Sequence, residues 1–136
     1  MTDTFSFEVK LSYPYAEAIE MTTEALKKEG FGMLTEIDVK AILKKKLDED
    51  FRPYVIFGAC NPPLAHKALL NAPEIGLLLP CNVTVEAVDE ASSIVRLLDP
   101  LVMVQVGEMF QNKALVEVAN DAHARLKRVA KSLGVK

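Results

Sequence analysis

The sequence predicts an α+β fold: a single curved, mainly antiparallel sheet of about five strands, with two long helices on one face and two short accessory helices. Three observations carry this reading. Residues 5–11 alternate apolar and polar side chains, the period of a strand with one buried face. Near the other end Leu115, Val118, Ala119, Ala122, Leu126, Val129 and Leu133 fall on one helical stripe. The elements between run β-α-β-α-β-α-β-β-α, and the closing hairpin breaks a strict βαβ repeat, which favours α+β over a parallel sheet.

In the first strand Phe5, Phe7, Val9 and Leu11 take one face and Ser6, Glu8 and Lys10 the other. Ser12 is placed to cap the first helix and Pro14 to occupy its first turn. Ala18, Ile19, Thr22, Ala25 and Leu26 form that helix's inner face, and Gly30 offers the left-handed residue that ends it. Residues 31–37 read as the second strand and Asp38 as the next cap. Residues 39–50 read as a surface helix whose Lys40, Lys44, Lys45 and Lys46 form a solvated face.

Residues 54–60 are apolar without alternation, the pattern of a central strand covered on both faces. Asn61, Pro62 and Pro63 start a short helix with Leu64, Ala65, Ala68 and Leu69 turned inward, and Pro73 stops it. Residues 81–88 and 93–98 form two strands around the turn at residues 89–92. Asp99-Pro100 breaks the second of them. The apolar connector at residues 101–112 shows no period of either kind, and the last helix follows, with acids early, bases late and Gly134 at its end.

A chain of 136 residues fits one domain, residues 1–136, and is long enough for a core without covalent staples. Half of its residues are apolar, which argues against disorder. A net charge of -3 gives no long-range attraction for phosphate, so nucleic acid is not an expected partner. The first residues carry no basic, apolar leader and no run is long enough to span a bilayer, so the expected location is cytoplasmic, with no membrane partner. Two cysteines in that setting are expected to stay reduced.

Three of the four cysteine and histidine residues, Cys60, His66 and Cys81, lie around two proline-marked corners. If strands three and four are antiparallel neighbours, the end of one meets the start of the other, and Cys60 and Cys81 come together. Cys60 precedes the presumed cap Asn61, where a helix N-terminus would favour a thiolate. His66, one turn into that helix, would serve as base or ligand, and Cys81 as a resolving thiol. Two thiolates and an imidazole would also suit zinc or copper. No C-x-x-C motif is present, and the competing reading makes both cysteines small buried hydrophobes at strand ends. His123 reads as a polar-flank residue of the last helix, and Met103 and Met109 as core or interface filling.

The segments Gly30-Phe-Gly-Met-Leu-Thr-Glu-Ile37, Gly58-Ala-Cys-Asn-Pro-Pro-Leu-Ala-His-Lys-Ala-Leu69 and Leu78-Leu-Pro-Cys-Asn-Val83, followed by Asp99-Pro100, carry a similarity that runs over nearly the whole chain. Together they resemble the bacterial and archaeal family called domain of unknown function 302. The resemblance implies a β-α-β4-α domain related in topology to the TATA-binding-protein-like group, commonly dimeric, with no established activity. Its characteristic residues fall on Cys60, Asn61, Pro62, Ala65, Pro80 and Cys81, and it strengthens the case for a shared site there. The DNA binding of the broader group does not transfer, because the positive charge is missing.

Two functions follow as expectations, and neither includes a nameable reaction or cofactor. The first is a small ligand-, thiol- or metal-binding domain whose site comprises Cys60, Asn61, His66 and Cys81. The second is a non-catalytic homodimeric module with structural cysteines, its interface formed by the apolar residues 101–106 with Met109 and Phe110.

Overall fold

The computed structural model describes residues 5–134. Residues 1–4 and 135–136 of the expected domain, with the N-terminal residues read above for a leader, lie outside the described residues. Five strands form one open sheet: β1 (Ser6–Leu11), β2 (Gly32–Asp38), β3 (Tyr54–Cys60), β4 (Cys81–Ala87) and β5 (Ser93–Leu98), in spatial order β1-β5-β4-β3-β2. Every neighbouring pair is antiparallel. The helices are α1 (Tyr15–Lys28), α2 (Val39–Leu47), α3 (Pro62–Asn71) and α4 (Lys113–Leu133). The α+β expectation holds in sheet, hairpin and helix order.

One face of the sheet carries the main core. Val9, Leu11, Val55, Phe57, Ala59, Val83, Val85, Val95 and Leu97 meet Ala18, Ala25 and Leu26 of α1 and Ala122, Leu126 and Val129 of α4. Side chains alternate across a strand, so β1, β3, β4 and β5 send alternate residues into this layer, while β2 at the edge adds only the part-buried Met33. A second cluster, built from Ala68, Ala72, Ile75, Met103, Leu115, Val118 and Ala119, lies beyond the end of the sheet. α3 and α4 belong to both neighbourhoods, since Leu64 packs against each cluster. Among the described residues no helix is long and apolar enough to cross a membrane.

Four local expectations are corrected. Ser12 does not cap α1: the cap position is Pro14, which has no side-chain acceptor to offer. β3 is fully covered on one face only, because Tyr54 and Ile56 on the other side remain part-exposed. The surface helix ends at Leu47, where Asp48 adopts the left-handed conformation. The connector folds as two 3-10 segments, Pro100–Gln105 and Met109–Gln111. Met103 is buried and Leu101, Val104 and Met109 pack against the second cluster, which leaves Val106 and Phe110 as its exposed large apolar side chains. Most of the surface that suggested an interface is therefore used inside the subunit.

The open face of the sheet is held by charge. Glu86, whose side chain is 6% exposed, accepts hydrogen bonds from Arg52 Nε at 2.5 Å and from Arg96 Nη1, and Arg96 Nε reaches Glu8 at 2.8 Å. Burial alone would push the Glu86 carboxyl up, but the two arginines outweigh it and hold its pKa below the usual carboxylate value.

Candidate functional site

The expected corner forms. β3 and β4 pair antiparallel with Ala59 opposite Cys81, while Cys60, one residue further along, lies opposite Gly32 of β2. Here the sheet ends, and the chain leaves β3 into α3 and enters β4 from the 3-10 segment Pro73–Leu78. α3 and α4 stand over these strand ends without filling the space between the two clusters. What remains is a cavity of about 250 Å³. Its floor is Ala59, Cys60, Pro80 and Cys81, one wall is Leu64, Ala65, Ala68 and Leu69 of α3, and the far wall includes Met103, Val118 and Ala122. Phe31, Leu34 and Leu79 complete it, with Leu34 and Leu69 at its exposed rim.

Asn61 is the one amide side chain in this lining, and its oxygen and nitrogen each hold one hydrogen bond. Its Oδ1 accepts from Leu64 N–H at 3.3 Å, capping α3, and its Nδ2 donates to the Glu29 carbonyl at 3.3 Å. Arg125 Nη1 donates to the same carbonyl at 3.0 Å, and Arg128 pairs with the Glu29 carboxylate, which holds that carboxyl low. Asn61 thus ties α3 to the end of α1, and Arg125 ties that end to α4. The geometry requires Gly30, at φ +86°, because a Cβ there would meet Asn61 Nδ2 at 2.9 Å.

Cys60, Asn61 and Cys81 come together, and His66 does not. His66 is exposed on α3 and outside the cavity lining. Among the described residues no group of three or more His, Cys, Asp or Glu side chains could hold a metal, so the zinc-like set of two thiolates and an imidazole is not assembled. His123 is more than a polar flank: its Nδ1 lies 2.8 Å from Asp99 Oδ1 and its ring sits beside Phe7. That contact anchors the start of the connector, since Asp99 also accepts from Leu101 N–H.

The thiolate expectation reverses. Burial pushes the Cys60 thiol up, and it pushes Cys81 up to about 11, with the neighbouring Cys60 adding to the shift. The reason lies in the sequence of α3. A helix N-terminus attracts an anion through its free N–H groups. Pro62 and Pro63 have none, the third position Leu64 donates to Asn61, and Ala65 N–H already bonds to the Asn61 carbonyl. Nothing is left to stabilise a negative sulfur. Cys60 should therefore react slowly with iodoacetamide at pH 7, and Cys81 should react only on addition of denaturant. Mass spectrometry of the native protein over time checks this, and rapid labelling of Cys60 would contradict it.

The cavity was not foreseen as such. Leu64, Ala65 and Ala68 turn inward as the helical spacing predicts, Leu69 stands at the exposed rim instead, Val118 and Ala122 come from the apolar stripe of α4, and Phe31, Leu34 and Leu79 carry no separate signal. Met103, read as filling, proves to be a wall of the site.

Fold and cavity together define a class: a small α+β domain with one open antiparallel sheet, two long helices behind it and an apolar chamber at one end. The chain belongs to the family described as "Domain of unknown function DUF302", whose family model matches residues 7–133. It is similar to the crystal structure of an uncharacterized conserved DUF302 protein from Bacillus stearothermophilus, at 32% identity and a TM-score of 0.81. That likeness covers 95% of this chain and 98% of the other. No curated protein matches the chain.

Proposed function

We propose that this chain is a binding domain for a small, uncharged, largely apolar molecule, held in the cavity between α3, α4 and the ends of β3 and β4. One observation carries the reading: a chamber of about 250 Å³ whose walls are almost wholly apolar, with Asn61 as the one amide among them, tied to Leu64 N–H and the Glu29 carbonyl. A dry cavity of roughly 150 Å³ with such walls takes up benzene or xenon, so this one has room for a larger hydrocarbon body. An anionic ligand is disfavoured inside, because no cationic side chain lines the cavity to replace its water. Affinity then comes from buried apolar area and from walls already in place. The thiols act as lining rather than as nucleophiles, and both are free in the structure.

The test is displacement of water by a neutral probe. N-phenyl-1-naphthylamine should brighten and shift to the blue on titration with the wild-type protein. Ala68→Leu, which adds bulk to a lining position that is 1% exposed, should weaken its binding on the order of tenfold or more. No response from the wild type, or equal binding by the variant, would count against the reading.

A further inference from the structure

β2 breaks its alternation where it borders the chamber. Met33 stands opposite Ala59 and packs on the core face, whereas Thr35, two residues on, stands opposite Gly58. The Thr35 Oγ1 and the Pro80 ring occupy the space that a Cβ on Gly58 would need, and that Cβ would point away from the face of Ala59, so Thr35 lies on the open face. Residues two apart in a regular strand share a face; these do not. The register shift between them makes Leu34 the extra residue of a bulge, without a cross-strand partner. β2 is also the edge strand, so no further strand flanks Leu34.

This spare residue stands at the chamber's mouth. Leu34 lines the cavity yet is 65% exposed, and Leu69 of α3 shares the rim at 40% exposure. A large apolar side chain held in water beside an apolar chamber gains by folding over it. Its flanks permit the movement. Thr35 and Pro80 close over Gly58 on one side, while on the other a Cβ at Gly32 would meet no atom within 4 Å. Because Leu34 holds no place in the ladder, it turns without breaking the pairing of Met33 with Ala59 or of Thr35 with Gly58.

We propose that Leu34 is the gate of the chamber, swinging between its exposed position and one packed toward Leu69 that closes the mouth over a bound apolar molecule. The proposal rests on the reading of the chamber as a binding site and adds how that site is entered and held. A gate slows both entry and escape, whereas a wall residue governs escape alone.

Cys60 and Cys81 line the chamber and report on its mouth without any ligand. The neutral reagent 4,4′-dithiodipyridine, followed by the absorbance of released thiopyridone, should modify Cys60 about tenfold faster in Leu34→Ala than in wild type, and more slowly than wild type in Leu34→Phe. Fraying of β2 cannot produce that slowing. Ile37→Ala, at an exposed position of the same strand outside the lining, should match the wild type. In stopped-flow mixing with N-phenyl-1-naphthylamine, Leu34→Ala should raise the association and dissociation rate constants together, and Leu34→Phe should lower both. Equal thiol rates in wild type, Leu34→Ala and Leu34→Phe would overturn the gate even where the naphthylamine binds. A silent naphthylamine titration with thiol rates that still follow residue 34 would remove the neutral ligand and keep the gate, so the two readings fail separately.

Discussion

Gly30→Ala is expected to cost the domain about 1.5–5 kcal/mol, from about 1–3 for a left-handed non-glycine residue and about 0.5–2 for a disturbed helix cap. The first part follows from φ +86°, a conformation that glycine adopts freely and alanine does not. The second follows from position, because the new Cβ would sit 2.9 Å from Asn61 Nδ2 and push that side chain off the Glu29 carbonyl and out of line with Leu64 N–H. The end of α1, the start of α3 and one rim of the cavity are therefore linked through a single amide. Urea unfolding at pH 7 measures the loss. Combined with Asn61→Ala the effect should be less than additive, since both changes remove the same cap. A loss below about 1 kcal/mol for Gly30→Ala would show that the three elements are not joined in this way.

Arg96→Ala is expected to cost a similar amount, about 2–4 kcal/mol, somewhat under the range for breaking a fully buried pair because Arg52 still faces Glu86. Arg96 bridges Glu8 and Glu86, and its removal leaves a carboxylate with 6% exposure holding one partner instead of two. The sign of the pH dependence follows from the lowered pKa of Glu86. A carboxyl whose pKa is lower folded than unfolded stabilises the native state above its unfolded pKa, and that stability is lost as pH falls through the folded value. Wild-type stability should thus decline on acidification below the ordinary carboxylate range. In Glu86→Gln the decline should be shallower. Parallel curves for wild type and Glu86→Gln would mean that the pair does not govern acid sensitivity.

Most of the scaffold was legible because its signals are local. Alternation marked β1 and β4, the helical stripe marked α4, and Asp38 and Asn61 announced caps that the structure contains. The meeting of Cys60 and Cys81 followed from one inference, that β3 and β4 pair antiparallel. What the sequence misdirected was chemistry that depends on three dimensions. A cysteine before a helix looked activated, but the two prolines that mark the helix start also remove the donors that activation needs. His66 sat at suitable spacing, yet its side of α3 faces solvent. The connector showed no period because 3-10 segments packed on one cluster impose neither a two-residue nor a 3.6-residue repeat. The cavity had no signature at all, since it is space left between two clusters and no residue type encodes its absence of neighbours.

The central claim is that a neutral apolar molecule enters the chamber between α3, α4 and the strand ends. The most direct measurement is a crystal of the protein held under xenon, which enters apolar cavities and scatters strongly. The account predicts xenon density in contact with Leu64, Ala68, Cys81 and Met103 in the wild type, and its loss in Ala68→Leu. Density at other surfaces with none in this chamber would contradict it.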